Sequence, residues 1–229
     1  MTRWLLPLVA VAGGLVGAGA MAMLDRDGGT DVRAYLLANP EVIPEAMEKL
    51  QAREAGKSVV ANRSAIETPF PGAVAGNPQG DVTLVEFYDY NCGYCRASNP
   101  VLRQLIAGDP KLRVVFRELP ILAPSSRTAA RASLVAAAQG KFNAFHDALY
   151  RAGRVTDATI AASARTSGVD LSRLPALAPR IDAELTRTFE TADRLGISGV
   201  PGWVIGDRVL SGALSADDLT RAIAEARRG

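Results

Sequence analysis

Val82-Thr83-Leu84-Val85-Glu86-Phe87-Tyr88 runs through Asp89-Tyr90-Asn91 into Cys92-Gly93-Tyr94-Cys95, and the rest of the chain reads outward from there. The first seven residues are rich in β-branched and aromatic side chains and are bounded by Gly80 and Asp89, which predicts a strand. Its near-continuous apolar character predicts burial on both faces. A helix is expected to follow at once, carrying the cysteines. Cys92 then stands at a helix N-terminus, where unpaired amides and partial positive charge favour an anion. Cys95 lies three positions on, close to one turn, so the two sulfurs can meet. A thiol attacks a disulfide only as its thiolate, and this placement meets that need. Cys92 is expected at the exposed end as the nucleophile. Cys95 is expected deeper, as the thiol that resolves a mixed disulfide.

These two cysteines are the only ones among 229 residues. That excludes a disulfide framework, and it falls short of the about four ligands of a structural zinc site. No metal site and no cofactor other than the redox-active disulfide itself are expected.

Beyond the cysteines, Leu112-Arg113-Val114-Val115-Phe116-Arg117 predicts a second strand closed by Pro120. From about Ser125 to Leu195 the chain is Ala-rich and helical by period, with breaks at Gly140, Gly153, Gly168 and Pro175. Trp203-Val204-Ile205 and Val209-Leu210 flank Gly206-Asp207, a hairpin signal. Ser215-Ala216-Asp217-Asp218 caps an amphipathic helix through Leu219, Ile223 and Ala226. Strands alternating with helices and closing on a hairpin predict an α/β sheet with helices on its faces.

Before the strand, Arg3 is followed by an uncharged run to residue 24 that contains Ala18-Gly19-Ala20, a small-x-small cleavage site. Residues 1–24 read as an export signal, with a retained membrane anchor as the alternative, because the run approaches the ~20 residues that span a bilayer. Either reading places the remainder outside the cytoplasm, in a periplasmic or similar space where disulfides persist. Two helical stretches follow, one around Val32–Leu37 and one from Asn39-Pro40-Glu41 through Val42, Ile43, Ala46, Met47 and Leu50. Residues 51–66 read as linker or frayed helix, and Pro69 to Gly80 as a turn-rich lead to the main domain, residues 67–229. With 48% hydrophobic and 22% charged residues and a net charge of +2, nothing favours nucleic acid as a partner.

Phe87 to Cys95 resembles the active-site segment of the DsbA-like branch of the thioredoxin superfamily. Pro100 falls where such proteins kink the active-site helix, and Glu86 matches the acid they hold beneath the disulfide. Gly199-Val200-Pro201, followed by a strand, resembles the loop ending in a cis-proline that faces the cysteines. The resemblance implies a thioredoxin-like fold with an inserted helical domain at about residues 124–195. It implies catalytic roles for Cys92, Cys95, Glu86 and Pro201, and contact with substrate at Gly93, Tyr94 and Val200. A buried Glu86 would relay a proton to or from the resolving thiol. Tyr88 and Tyr90 are assigned either to a substrate groove or to the core. The lone His146 is given no role beyond structure.

Ala34 to Val42 is similar to the N-terminal region of ScsC-type (suppressor of copper sensitivity) relatives, which implies a homo-oligomer assembled through residues 25–66. Several active sites around a shared space suit a disulfide isomerase, whereas Val200 before Pro201 resembles the oxidases. Thiol-containing exported proteins and a membrane redox partner are the partners implied. The alternative from another class is a copper(I)-binding, copper-tolerance protein using the same two thiols.

Overall fold

Strand β2 (Val82–Tyr88) pairs in parallel with β3 (Leu112–Glu118), and this pair forms the middle of the fold. The computed structural model describes residues 31–228; the signal-or-anchor reading of residues 1–24 lies outside them. Outside the central pair, β1 (Val74–Gly76) lies antiparallel to β3, and β4 (Gly202–Ile205) antiparallel to β2. The β4–β5 hairpin (β5, Arg208–Ser211) completes a five-stranded sheet of order β1-β3-β2-β4-β5. Gly206 makes the expected turn with a φ of +62°, a conformation that favours glycine.

Helix α1 covers residues 31–38 and α2 is Val42–Glu67. Helix α3 (Gly93–Gly108) links β2 to β3. The helical block between β3 and β4 consists of α4 (Pro124–Ala138), α5 (Phe142–Ala152), α6 (Asp157–Ser167), a 3-10 turn and α7 (Leu174–Arg194). Helix α8 (Ala216–Ala226) follows the hairpin and packs on α3, β2 and β4. The fold is the α/β class that the sequence predicts, with the helical insertion between strands that the resemblance implies.

Alternation along the two central strands divides the core. Leu84, Tyr88, Val114 and Phe116 join the cluster beneath α3 and the helical block. Val85, Phe87, Val115 and Leu119 join a second cluster with Val59, Ile66, Ala192 and Leu195. Both faces are covered, which is why the strands read as apolar throughout.

The chain divides into two units, Met1–Gln51 and Ala52–Gly229. In the first, Val32, Tyr35, Leu37, Ile43, Met47 and Leu50 are exposed. Asn39 closes α1 by donating from Nδ2 to the Tyr35 carbonyl at 2.9 Å, so the second helix starts at Val42, after Pro40 rather than at it. The linker reading of residues 51–66 is corrected: they are helical throughout α2, and Val59 and Ile66 are buried in the second unit. Polar residues mask that register, because only every seventh position is deeply apolar. Pro175 does not break the helical block, since it sits in the first turn of α7, where a proline is tolerated. Strand β1 falls in the stretch read as turns.

Candidate active site

Cys92 is the N-cap of α3. Its Sγ accepts the Cys95 backbone N–H at 3.3 Å, in the position a Ser or Asp side chain usually fills. The thiol also donates to the Val200 carbonyl oxygen at 3.4 Å. The Val200–Pro201 peptide bond is cis, and Gly202 follows it because a Cβ there would stand 2.6 Å from Ile197 Cγ2. A residue over 100 positions away in sequence thus supplies the backbone edge beside the Cys92 sulfur. Pro100 lies inside α3, two turns beyond Cys92.

The expectation of an exposed Cys92 is corrected. The residue is only 4% exposed and Cys95 1%. The Val200 carbonyl and the capping geometry tuck the first sulfur in, and the exposed group of the motif is Tyr94, at 69%. Gly93 is exposed beside it and Val200 is half-buried, so the three residues expected to meet substrate surround the Cys92 sulfur or stand on its helix.

Beneath the cysteines, Glu86 is buried with Oε1 lacking any hydrogen-bond partner. Burial, reinforced by the neighbouring Glu118 charge, holds its carboxyl well above the usual range. Burial likewise pushes the Cys95 thiol up, and the Glu86 charge adds to this. Cys95 and Glu86 therefore share one environment in which neither group ionises easily, and a proton on one is coupled to the charge of the other.

Sequence reading missed the second acid. Glu118, at the end of β3 and opposite Tyr88 in register, accepts a hydrogen bond from the Tyr88 hydroxyl. Burial pushes its carboxyl up to about 8, against the pull of hydrogen bonds from Ser133 and Tyr88. Tyr90 bonds Ser133 Oγ and His146 Nδ1, each at 2.9 Å. Tyr88 and Tyr90 are buried in the core, which settles their two readings against a substrate groove. Tyr150 closes the cluster, its ring 4.9 Å from that of Tyr90. The available signal was Glu118 at the close of an apolar strand, matching Glu86 in the strand beside it.

Asp89 and Asn91 brace the rim. Asp89 Oδ2 accepts the N–H groups of Ile121 and Leu122 at 2.9 Å, and Oδ1 accepts that of Asn91 at 2.8 Å. Asn91 Nδ2 donates to Ser125 and Ser126 Oγ at the start of α4. Ile121 and Leu122 are exposed apolar residues on the loop so held. Arg96 turns toward the helical block, where it donates to the Gly153 carbonyl at 2.5 Å.

The family described as DSBA-like thioredoxin domain matches residues 83–224. The family described as Copper resistance protein ScsC N-terminal domain matches residues 29–56. A thioredoxin-like oxidoreductase from Silicibacter pomeroyi is similar at 38% identity and a TM-score of 0.69, over 73% of this chain and 99% of that one. Proteus mirabilis ScsC in a transitional conformation is similar at 28% identity and a TM-score of 0.68, over 90% of this chain and 98% of that one. Among curated proteins, the Na(+)/H(+) antiporter NhaA 1 of Salinispora arenicola is 31% identical over 161 residues, which is 68% of this chain and 25% of that protein. The chain spans about a quarter of the length of the curated relatives it matches.

Proposed function

This chain belongs to the DSBA-like thioredoxin family, and we propose that it exchanges disulfides with exported proteins through Cys92 and Cys95. The observation that carries this reading is Cys92 Sγ at the N-terminus of α3, between the Cys95 amide and the Val200 carbonyl. A substrate thiolate attacks Cys92 of the Cys92–Cys95 disulfide. The enzyme S–S bond breaks as the mixed disulfide forms, and Cys95 leaves as a thiolate that takes a proton from Glu86. In the reverse direction Cys95 gives its proton to Glu86, attacks Cys92, and releases the substrate thiolate. The Val200 edge offers a carbonyl with which an extended substrate backbone pairs, and Tyr94, Ile121 and Leu122 offer apolar contact. Pro201, lacking an N–H, leaves that edge to the Val200 acceptor.

In this reading the enzyme works outside the cytoplasm, needs no cofactor beyond its disulfide, and is reset by a membrane redox partner. The apolar residues exposed on residues 31–51 supply a self-association surface. Several active sites on one assembly favour isomerisation, since a captured misfolded chain can be attacked again. Sedimentation of an Ile43→Asp, Met47→Asp variant tests the assembly, which is abandoned if the variant and parent sediment alike.

The activity test is recovery of scrambled, fully oxidised ribonuclease in a glutathione buffer. Recovery well above buffer, lost in Cys92→Ser, is expected. Recovery no faster than buffer alone removes the isomerase role, and oxidation of a reduced two-thiol peptide then decides whether any exchange remains.

A further inference from the structure

Cys95 is 1% exposed, yet each exchange at its sulfur gives up or takes a proton. When Cys95 leaves the disulfide, the Glu86 carboxyl supplies that proton and is left a buried carboxylate until a proton returns to it, from Cys95 in the reverse step or from outside the pair. A bound substrate chain covers the Cys92 side at that moment, so a path for protons past the substrate is closed when it is needed.

Two buried polar atoms without hydrogen-bond partners point elsewhere: Glu86 Oε1 and His146 Nε2. A polar chain runs between their surroundings. Glu118 acts on Glu86 through its charge, with no hydrogen bond between the two, and it takes a hydrogen bond from Tyr88. The Tyr88 hydroxyl stands 3.5 Å from that of Tyr90, and Tyr90 bonds His146 Nδ1 at 2.9 Å. His146, 2% exposed, lines a groove of about 340 Å³ between α3, α5 and β1. Leu102, Ile106 and Phe116 wall this groove. Arg103 and Asp147, paired at 2.7 Å with side chains 52% and 32% exposed, bring it to solvent.

We propose that Glu118, Tyr88, Tyr90 and His146 conduct protons between Glu86 and this groove, so that Cys95 exchanges its proton through the back of the site while substrate occupies the front. The inference rests on the disulfide-exchange reading above. His146 and Glu118 act through Glu86 and are positioning residues for the proton.

The surroundings suit the task. Glu118 faces Tyr88 and Asp89 from the β2 segment and Ser133 from α4, with Tyr90 and Tyr150 beside it. Glu86 faces Glu118, Cys95 and Tyr150. His146 faces Tyr88, Tyr90, Tyr150, Phe116 and Phe142, with the opposed charges of Asp147 and Arg103 nearest. Burial raises Glu118 to about 8 and lowers His146 to about 3, so near neutral pH the acid holds a proton and the ring is uncharged. A neutral imidazole accepts at one nitrogen and donates at the other, so it can pass a proton without holding a net charge.

The test follows reduction of the Cys92–Cys95 disulfide by glutathione in the full chain, by acid quench and thiol alkylation, across pH 6 to 9. In His146→Ala the rate is expected to fall at least about tenfold, in the range general acid–base catalysis supplies. Added imidazole should restore it and pyrrole, of the same shape with one nitrogen fewer, should not. Tyr90→Phe should slow the same step without rescue by imidazole. Alkylation of Cys92 in the reduced protein should be unchanged in both variants. A His146→Ala protein that is reduced as fast as the parent overturns the relay, and so does equal rescue by pyrrole, which would mark a packing defect. A parent chain whose disulfide glutathione does not reduce would instead overturn the exchange reading itself.

Discussion

The two faces of the β2–β3 strand pair bury charge in opposite ways. Toward α2 and α7, Arg117 is matched: it pairs with Glu184 at 2.7 Å and donates to the Ala65, Ile66 and Thr68 carbonyls at the end of α2. Toward α3, Glu86 and Glu118 stand on neighbouring strands, and no hydrogen-bond partner of either is a cation. The matched group ties a helix end to the sheet. The unmatched acids hold protons, Glu86 beside the Cys95 sulfur. Burial of a charge is therefore no guide to its role until its partners are counted.

Arg117→Met should break the matched face with the largest effect on stability, a loss of about 3–5 kcal/mol by chemical denaturation, because buried Glu184 keeps only the exposed Arg187 and three carbonyls lose their donor. An unchanged midpoint would mean the ion pair does not hold α2.

The other face should respond with the opposite sign. The unfolded chain releases these carboxyl protons near the ordinary value of 4.5, whereas the folded chain retains them, Glu118 up to about 8. Stability from these groups is thus complete below about pH 4.5 and lost as pH rises, at up to about 1.4 kcal/mol per pH unit for each proton retained. Glu86→Gln should accordingly gain stability at pH 8 and little at pH 4, while slowing exchange at Cys95 by about a hundredfold. A variant less stable than the parent at pH 8 would contradict the unmatched reading. Glu118→Gln should show the same pattern, with a gain of up to about 4 kcal/mol at pH 8 for a carboxyl held at about 8 rather than 4.5. His146 runs the other way, its share being lost as pH falls from 6.5 through about 3. Stability curves measured from pH 4 to 9 separate the two.

How much of this was legible in the sequence depended on how local the signal was. The cysteine pair, its strand and the Gly206-Asp207 hairpin lie within short windows, and alternation with turn chemistry fixes them. Strand β1 is three residues among prolines and glycines and has no period to read. The second half of α2 hid because Gly56 and scattered charges dilute a face whose buried anchors, Val59 and Ile66, are seven residues apart. The Glu118–Tyr88–Tyr90–His146 chain joins residues up to 58 positions apart through three elements, and only register brings them together. His146 lay in plain view among Phe142, Phe145 and Leu149, but nothing local distinguishes a packed ring from one that also lines a groove.

The division of labour between the two cysteines is the central claim, and trapping tests it most directly. Cys95→Ala, mixed with a disulfide-bonded peptide and read by intact mass and peptide mapping, should accumulate a stable mixed disulfide on Cys92. Cys92→Ala should accumulate almost none, because Cys95 is enclosed and its thiol is held protonated. Equal capture by the two single-cysteine chains, or capture only at Cys95, would contradict the account.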